Sequence, residues 1–347
     1  YAGPVEDAVH DILRNHLKSK KPFHFEPTAT NAKYVIPNLK PYEAINFLAT
    51  QAQSKKFRVN AGYVFYETSE AFHFRSIDSM MGFDGQLSEV PAKFKYKSMI
   101  TSVADNPNRA EIKDVERRLS SVIKFEYDKP VDTLQNINSG FYSNKVTVHD
   151  AFNKTISTKT YDYNETGPFQ AHTEMAASRF ETAGLLYPQD GKGKGVKFSD
   201  TNKGLNEMPD AKTMVLTETS KVHNDYEFTP TKDTLPKIIS QRKTLQNLNL
   251  TLLVYGNTIL NAGDVIFFNA PLLRPGDKVI PNPYISGRYL IMAIKHTISL
   301  ETGTHEMVLK CMKDSVRTPL PSEEDGLFVG REDNTNIDIY KEDEKIA

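Results

Sequence analysis

The sequence predicts a β-rich α+β protein, and three observations carry that prediction. Leu250–Tyr255, Val265–Phe268, Tyr284–Ser299 and His305–Met312 read as four strands on short turns, a strongly bent antiparallel sheet or small barrel. Near the N-terminus, apolar residues recur twice at helical spacing and flank an aromatic hairpin. Between these regions lies a long stretch, 164–230, with little periodicity.

The elements follow in order. Pro4 opens a helix whose apolar face is Val5, Ala8, Val9, Ile12, Leu13 and Leu17, and the basic run Lys18–Lys21 complements its C-terminus. Ile36–Pro41 is a boundary, and Pro41 suits the first turn of a second helix with Ala44, Ile45, Leu48, Ala49 and Ala52 on one face. Phe57–Thr68 and Ala71–Ile77 read as a hairpin around Ser69-Glu70 with cross-strand aromatic pairs. His73 points away from Phe72 and Phe74, which makes it a solvent-side or interface histidine rather than a metal ligand. Residues 1–85 thus form a small α+β domain of two helices on a sheet, and 86–110 reads as a linker.

Periodicity does not decide between helix and strand over Glu111–Leu119. Ser121–Tyr127 is a strand, Asp132–Asn138 a short helix closed by Gly140, and Phe141–Asp150 pairs with Thr155–Tyr163 across Ala151–Lys154. Inside the irregular stretch, Glu174–Thr182 reads as one helical segment and Met214–Thr217 as a strand. Asp233 or Thr234 caps a helix running to about Asn247, with Pro236 in its first turn and Ile238, Ile239, Leu245 and Leu248 inward. Along Tyr284–Ser299, Leu290, Met292, Ile294 and Ile298 share one face, and Tyr289, Ile291, Ala293, Lys295 and Thr297 the other. Glu301–Thr304 turns the chain into a strand with Met307, Leu309 and Cys311 on one side.

A chain of 347 residues holds two or three domains. Its 39% hydrophobic and 25% charged residues are ordinary for a globular protein, and a formal charge of −1 gives no global field for nucleic acid. No apolar run approaches the roughly 18 residues of a membrane span. The single cysteine, Cys311, precludes an internal disulfide and reads as a small buried hydrophobe, which suits a reducing compartment.

None of the nine histidines lies in an HExxH or Cys/His metal spacing, and no GxSxG occurs. Gly191–Gly195 (GKGKG) lacks the GxxxxGK[ST] pattern and no strand feeds it, so it reads as a basic loop. No catalytic, cofactor-binding or metal-binding residue is assigned, and no cofactor is expected.

Two blocks carry a resemblance. GNTILNAGDVIFF, a Pro-rich loop, YISGRYLIMAIKHTI and HEMVLKCMKDSVR are similar to the last strands of the baseplate central hub protein of contractile-tailed phages. The upstream pair VIPNLKPYEAINFLATQAQS and GYVFYETSEAFHFRSIDSMM resembles the same family, to which the hub part of type VI secretion spike proteins is related. The resemblance implies that 111–163 and 248–316 form one tube-type antiparallel β-barrel, interrupted by an insertion plus helix over 164–247. It implies a homotrimeric ring that joins the hexameric tail tube to the trimeric central spike. It further implies contacts with other baseplate proteins and DNA only in transit through the channel. The protein would then be a non-enzymatic part of the virion's tail baseplate, assembled in the host bacterial cytoplasm without membrane insertion. In that family a first barrel precedes the helix that begins here at Pro4, so upstream sequence or a second polypeptide is expected to supply it. Two other readings are a tail-tip peptidoglycan hydrolase and, from 16 Tyr and 19 Phe, a carbohydrate-binding module.

The segment 317–347 reads as an acidic tail. Nine acids against three bases give Pro321–Ala347 a formal charge of −6, leaving +5 on residues 1–320. Two apolar clusters interrupt it, Leu327, Phe328 and Val329, then Ile337, Ile339 and Tyr340. They are the candidate partner contacts.

Overall fold

The computed structural model describes residues 1–29, 31–33, 35–56, 62–83, 86–87, 92–96, 119–127, 133–151, 154–162, 173–174, 197–198, 203–204, 211–216, 231–246, 248–272, 280–282 and 285–315.

The chain begins with strand β1 (Ala2–Pro4) and helix α1 (Val5–Asp11), which widens into a π-helical turn, Ile12–His16. Strands β2 (Phe23–Phe25) and β3 (Asn31–Lys33) precede helix α2 (Pro41–Gln51). As expected, Pro41 opens α2, and Glu43 accepts the Lys40 N–H at 3.2 Å to close the helix start. Strands β4 (Tyr63–Glu67) and β5 (Phe72–Ser76) form the hairpin, and α3 (Ile77–Met81) follows, its N-cap Ser76 accepting from the Ser79 N–H. The sheet order is β2-β5-β4, with β2 parallel to β5. Val5, Val9, Ile12, Leu13, Ile45 and Leu48 bury against Tyr63, Phe72 and Phe74. Each such side chain removed from water contributes about 1.5–3 kcal/mol.

Strands β6 (Gly82–Phe83) and β7 (Gln86–Leu87) make a short ladder before β8 (Ala92–Tyr96) and β9 (Ser121–Tyr127). After the short helix Thr133–Asn138 come β10 (Ser143–Asp150) and β11 (Thr155–Asp162). The two-residue strands β12 (Lys197–Phe198) and β13 (Lys203–Gly204) pair with each other, and β14 (Ala211–Leu216) leads to the helix Thr231–Leu245. The last run is β15 (Leu248–Tyr255), β16 (Val265–Asn269), the paired β17 (Pro271–Leu272) and β18 (Ile280–Pro281), β19 (Gly287–Ser299) and β20 (Thr304–Lys313).

Six strands close a barrel in the order β15-β20-β19-β16-β8-β9, with β9 returning to β15. Phe94, Leu250, Leu252, Val254, Phe268, Tyr289, Met307 and Leu309 fill its interior, so it is a packed core and no conduit. The β-rich α+β class read from the sequence is the class observed.

Three readings need correction. The expected linker 86–110 contains β8, which pairs parallel with both β16 and β9, so the barrel is not wholly antiparallel. The hairpin β10-β11 does not join the barrel. It forms a separate sheet, with β14 parallel to β10, against the helix Thr231–Leu245. β10 alternates inward Val146 and Val148 with half-buried neighbours, a pattern that fits any sheet with one covered face and does not name its partner. Finally, β19 does not alternate throughout. A register shift between Ile291 and Ala293 exposes Met292, so Tyr289 and Ile291 fill the barrel before the bulge and Ile294 packs there after it.

The α+β unit packs on the outside of the barrel. Ile77, Met80 and Met81 of α3 bury with Val265, Leu290 and Leu245. Buried Gln241 donates to Asp78 at 2.7 Å, so the helix Thr231–Leu245 touches the α+β unit as well. The same helix holds the separate sheet: Ser240 donates to the Phe141 carbonyl, and Asn144 to those of Gly140 and Pro236.

Candidate functional site

The chemistry concentrated in the barrel is a buried ionic clamp. β20 runs apolar along its inner face through Met307, Leu309 and Cys311 and then turns polar, with Lys313, Asp314 and Ser315 all fully or nearly fully buried. The partner is a two-residue piece of the insertion, Thr173-Glu174, equally buried. Lys313 Nζ lies 2.9 Å from Glu174 Oε1 and donates to the Ser286 carbonyl at 2.8 Å. Glu174 Oε1 also accepts the Arg288 backbone N–H at 2.7 Å, and Arg288 Nε donates to the Thr173 carbonyl at 3.0 Å. Asp314 Oδ1 accepts the Thr173 N–H at 2.8 Å and its hydroxyl at 2.6 Å, and the Glu174 N–H reaches Ser315 Oγ.

Gly287 makes this approach possible. It sits at φ +136°, and a Cβ there would lie 1.9 Å from Glu174 Oε1 and 2.4 Å from Lys313 Nζ. No side chain fits between carboxylate and ammonium at that point. The ammonium also lies 5.3 Å from the centroid of the Tyr289 ring, whose hydroxyl donates to the Ile285 carbonyl at 2.6 Å. Burial pushes the Tyr289 phenol well above its ordinary range, so it stays a neutral donor.

The Lys313–Glu174 pair is sealed from solvent, and the geometry joins the insertion to the barrel wall. Burial likewise pushes the Cys311 thiol far up, which keeps it neutral and poorly nucleophilic. Among the described residues, no group of three or more His, Cys, Asp or Glu side chains is placed to hold a metal ion. No helix among them is long and apolar enough to cross a membrane.

The barrel also presents a surface. At one end, where the Gly256 N–H meets the His305 carbonyl, Tyr255, Ile259, Ile298 and Leu300 are exposed, Leu300 at 94%. On the outer wall, Lys124 and Glu126 of β9 pair at 3.4 Å, and β19 and β20 add exposed Lys295 and Lys310 and half-buried Glu306. Both signs of charge occur on this wall.

The sequence-predicted contact residues Leu327, Phe328, Val329, Ile337, Ile339 and Tyr340 lie outside the described residues, as do most of Glu174–Thr182 and GKGKG. Sequence reasoning missed Glu174 as a buried partner. The one available signal was KDS closing an apolar strand, charged residues where the pattern called for core.

No protein-family model matches this sequence, and no curated protein matches it. Among solved structures, a tail protein from Neisseria meningitidis aligns with a TM-score of 0.44 and 10% identity, over 89% of this chain and 66% of that one. A 43 kDa tail protein of prophage MuSo2 from Shewanella oneidensis aligns with a TM-score of 0.40 and 10% identity, over 90% of this chain and 66% of that one. The chain therefore spans just under two thirds of either protein's length. Likenesses this distant bear neither on fold nor on function.

Proposed function

We propose that this chain is a structural subunit of a phage-type tail, a hub that forms a trimeric ring between tail tube and central spike. The observation that carries the reading is the closed six-stranded barrel, whose strands β16, β19 and β20 hold sequence blocks similar to the hub family. A barrel filled with side chains conducts nothing itself, so a channel would run between barrels of neighbouring subunits. The mixed Lys and Glu of the outer wall suit a lumen past which DNA slides, because a continuous Lys/Arg stripe would bind phosphate strongly. The exposed apolar end at Tyr255, Ile259, Ile298 and Leu300 supplies a contact for the next subunit in a closed, head-to-tail ring. The acidic segment 317–347 would contribute its two apolar clusters to a neighbouring chain or the spike, its charge steering the approach.

Light scattering and negative-stain imaging of the purified chain over a range of concentrations test this reading. A three-fold ring with a central channel is expected. A monomer at every concentration, also when mixed with spike protein, would overturn it.

A further inference from the structure

The α+β unit carries a second feature that the clamp and the ring leave unused. A cavity of about 360 Å³ opens at the edge of its sheet, and His24, Phe25, Glu26, Lys56, His73 and Arg75 are among its walls. His24 and His73 are register partners on the parallel strands β2 and β5, so their imidazoles share one face with centroids 5.5 Å apart. Tyr66 of β4 lies flat against His73, at 4.8 Å and 9°, and Thr68 Oγ1 is 3.2 Å from His73 Nε2, which together fix the ring. Arg75, two positions on along the same face, sends Nε to Ser79 Oγ at 3.0 Å and Nη2 to the Ser79 carbonyl at 2.7 Å. Its guanidinium plane is therefore set in advance.

The charge inventory is lopsided. On the cavity walls two permanent cations and two imidazoles stand with one carboxylate, Glu26, which is already occupied. Asp264, just before β16, acts on Arg75 without lining the cavity. Glu26 is buried, and it accepts the Ser54 hydroxyl at Oε1 and the Ser76 N–H and hydroxyl at Oε2, at 2.8 and 2.7 Å. We infer that this cavity binds a small oxyanion of the phosphate or carboxylate class, with half-exposed Phe25 as the wall for any apolar portion of the ligand. A metal cation is the wrong partner, because Arg75 and Lys56 would repel it. A fixed guanidinium beside donor-bearing imidazoles matches the planar or tetrahedral array of oxyanion lone pairs.

The inference also sets a pH dependence. The groups acting on His73 are His24 from β2, Tyr66 from β4, Arg75 from its own strand, Glu70 from the hairpin turn, and Lys21. Burial first, then the nearby cations, holds the empty-site His73 below the ordinary imidazole range, and Glu70 opposes them. A bound anion raises that value, so by linkage the anion binds more tightly as pH falls through the imidazole range.

Titrating inorganic phosphate, and separately acetate, into the full chain at constant ionic strength tests this by histidine side-chain NMR. Saturable shifts are expected for the His24 and His73 signals alone among the nine histidines, with the His73 pKa moving up. Saturation by phosphate but not acetate assigns a phosphate ligand, and saturation by both a carboxylate-tolerant one. Lys56→Gln and His24→Gln alter side chains at the cavity wall, outside the hydrophobic core. They should leave Tm without ligand unchanged and weaken phosphate binding about fivefold or more, the loss of one charge-assisted hydrogen bond. Unsaturable shifts shared by all the histidines, in both titrations, would overturn the inference. So would phosphate affinity unchanged in both variants. Neither outcome touches the ring, whose assembly is read by size alone.

Discussion

The α+β unit and the barrel each bury carboxylates, and they neutralise them differently. In the α+β unit, Glu6 accepts the Thr28 N–H and hydroxyl, and Glu26 accepts from Ser54 and Ser76. Every one of these donors is a hydroxyl or an amide, from segments within about one domain. In the barrel, Glu174 meets an ammonium, and the Thr173–Asp314 bond beside it spans 141 residues of sequence. Neutral donors share a carboxylate's charge in small increments, so removing one leaves the others in place. An ion pair sealed from water is all or nothing, because loss of either member strands the other. The barrel's closure on its insertion should therefore be brittle where the α+β unit is forgiving.

The largest break is expected at the glycine inside the clamp. Gly287→Val places Cβ and its methyls into the Glu174–Lys313 contact and forces a β-branched residue to φ +136°. Loss of soluble, folded barrel is expected, a cost beyond about 4–5 kcal/mol, read by urea unfolding or soluble yield. Gly263→Val should be milder. Its φ is +91°, and a Cβ there meets the Tyr66 hydroxyl at 2.4 Å, a side chain reaching across from the α+β unit. Gly62→Ala in the α+β unit is the contrast: the new Cβ would find Gln241 and Ile77 at an ordinary 3.4 Å, and near-parental stability is expected.

Next in size is the pair itself. Lys313→Met should cost about 3–5 kcal/mol by leaving the Glu174 carboxylate without its counter-charge. Adding Glu174→Leu should return a large part of that loss, since two apolar side chains no longer oppose each other, although the Arg288 N–H then lacks its acceptor. If the double variant is as unstable as the sum of the singles, the two residues are not coupled and the contrast drawn above fails. For the α+β unit, Glu26→Gln should cost only about 1–2 kcal/mol, because the amide oxygen still accepts from one serine while the NH₂ opposes the other.

This contrast also explains what could be read from the sequence and what could not. α2 was legible because its cap, its proline and its apolar stripe are local, and Ala44, Ile45, Leu48, Ala49 and Ala52 are all buried as their spacing requires. The four C-terminal strands were legible for the same reason, and the glycines at 263 and 287 marked special backbone. β8 was missed because AKFKY alternates over too few residues to stand out from a linker. β10 and β11 were recognised as strands but given to the wrong sheet, since alternation fixes a face and not a neighbour. The bulge at Met292 is invisible to any fixed period. The clamp was out of reach because nothing in residues 163–182 marks Glu174 as the one carboxylate that meets a lysine at the far end of the barrel.

The smallest expected effect tests whether burial, rather than charge, makes the barrel's pair brittle. Lys21 and Glu67 of the α+β unit also form a short ion pair, 2.7 Å, but with 23% and 47% of their side chains exposed. Lys21 has other uses there: it donates to the Thr68 carbonyl and lies 5.5 Å from the Phe72 ring centroid. Water competes for both charges, so Glu67→Gln should cost below about 1 kcal/mol. Raising salt to about 1 M shrinks the screening length to roughly 3 Å and should erase most of that small difference between parent and variant. The same salt should leave the Lys313→Met deficit nearly intact, because ions do not reach a fully buried pair. Urea unfolding of both variants at low and high salt gives the comparison directly. A Glu67→Gln cost as large and as salt-resistant as that of Lys313→Met would show that charge alone sets the cost, and that the seal around Glu174 adds nothing.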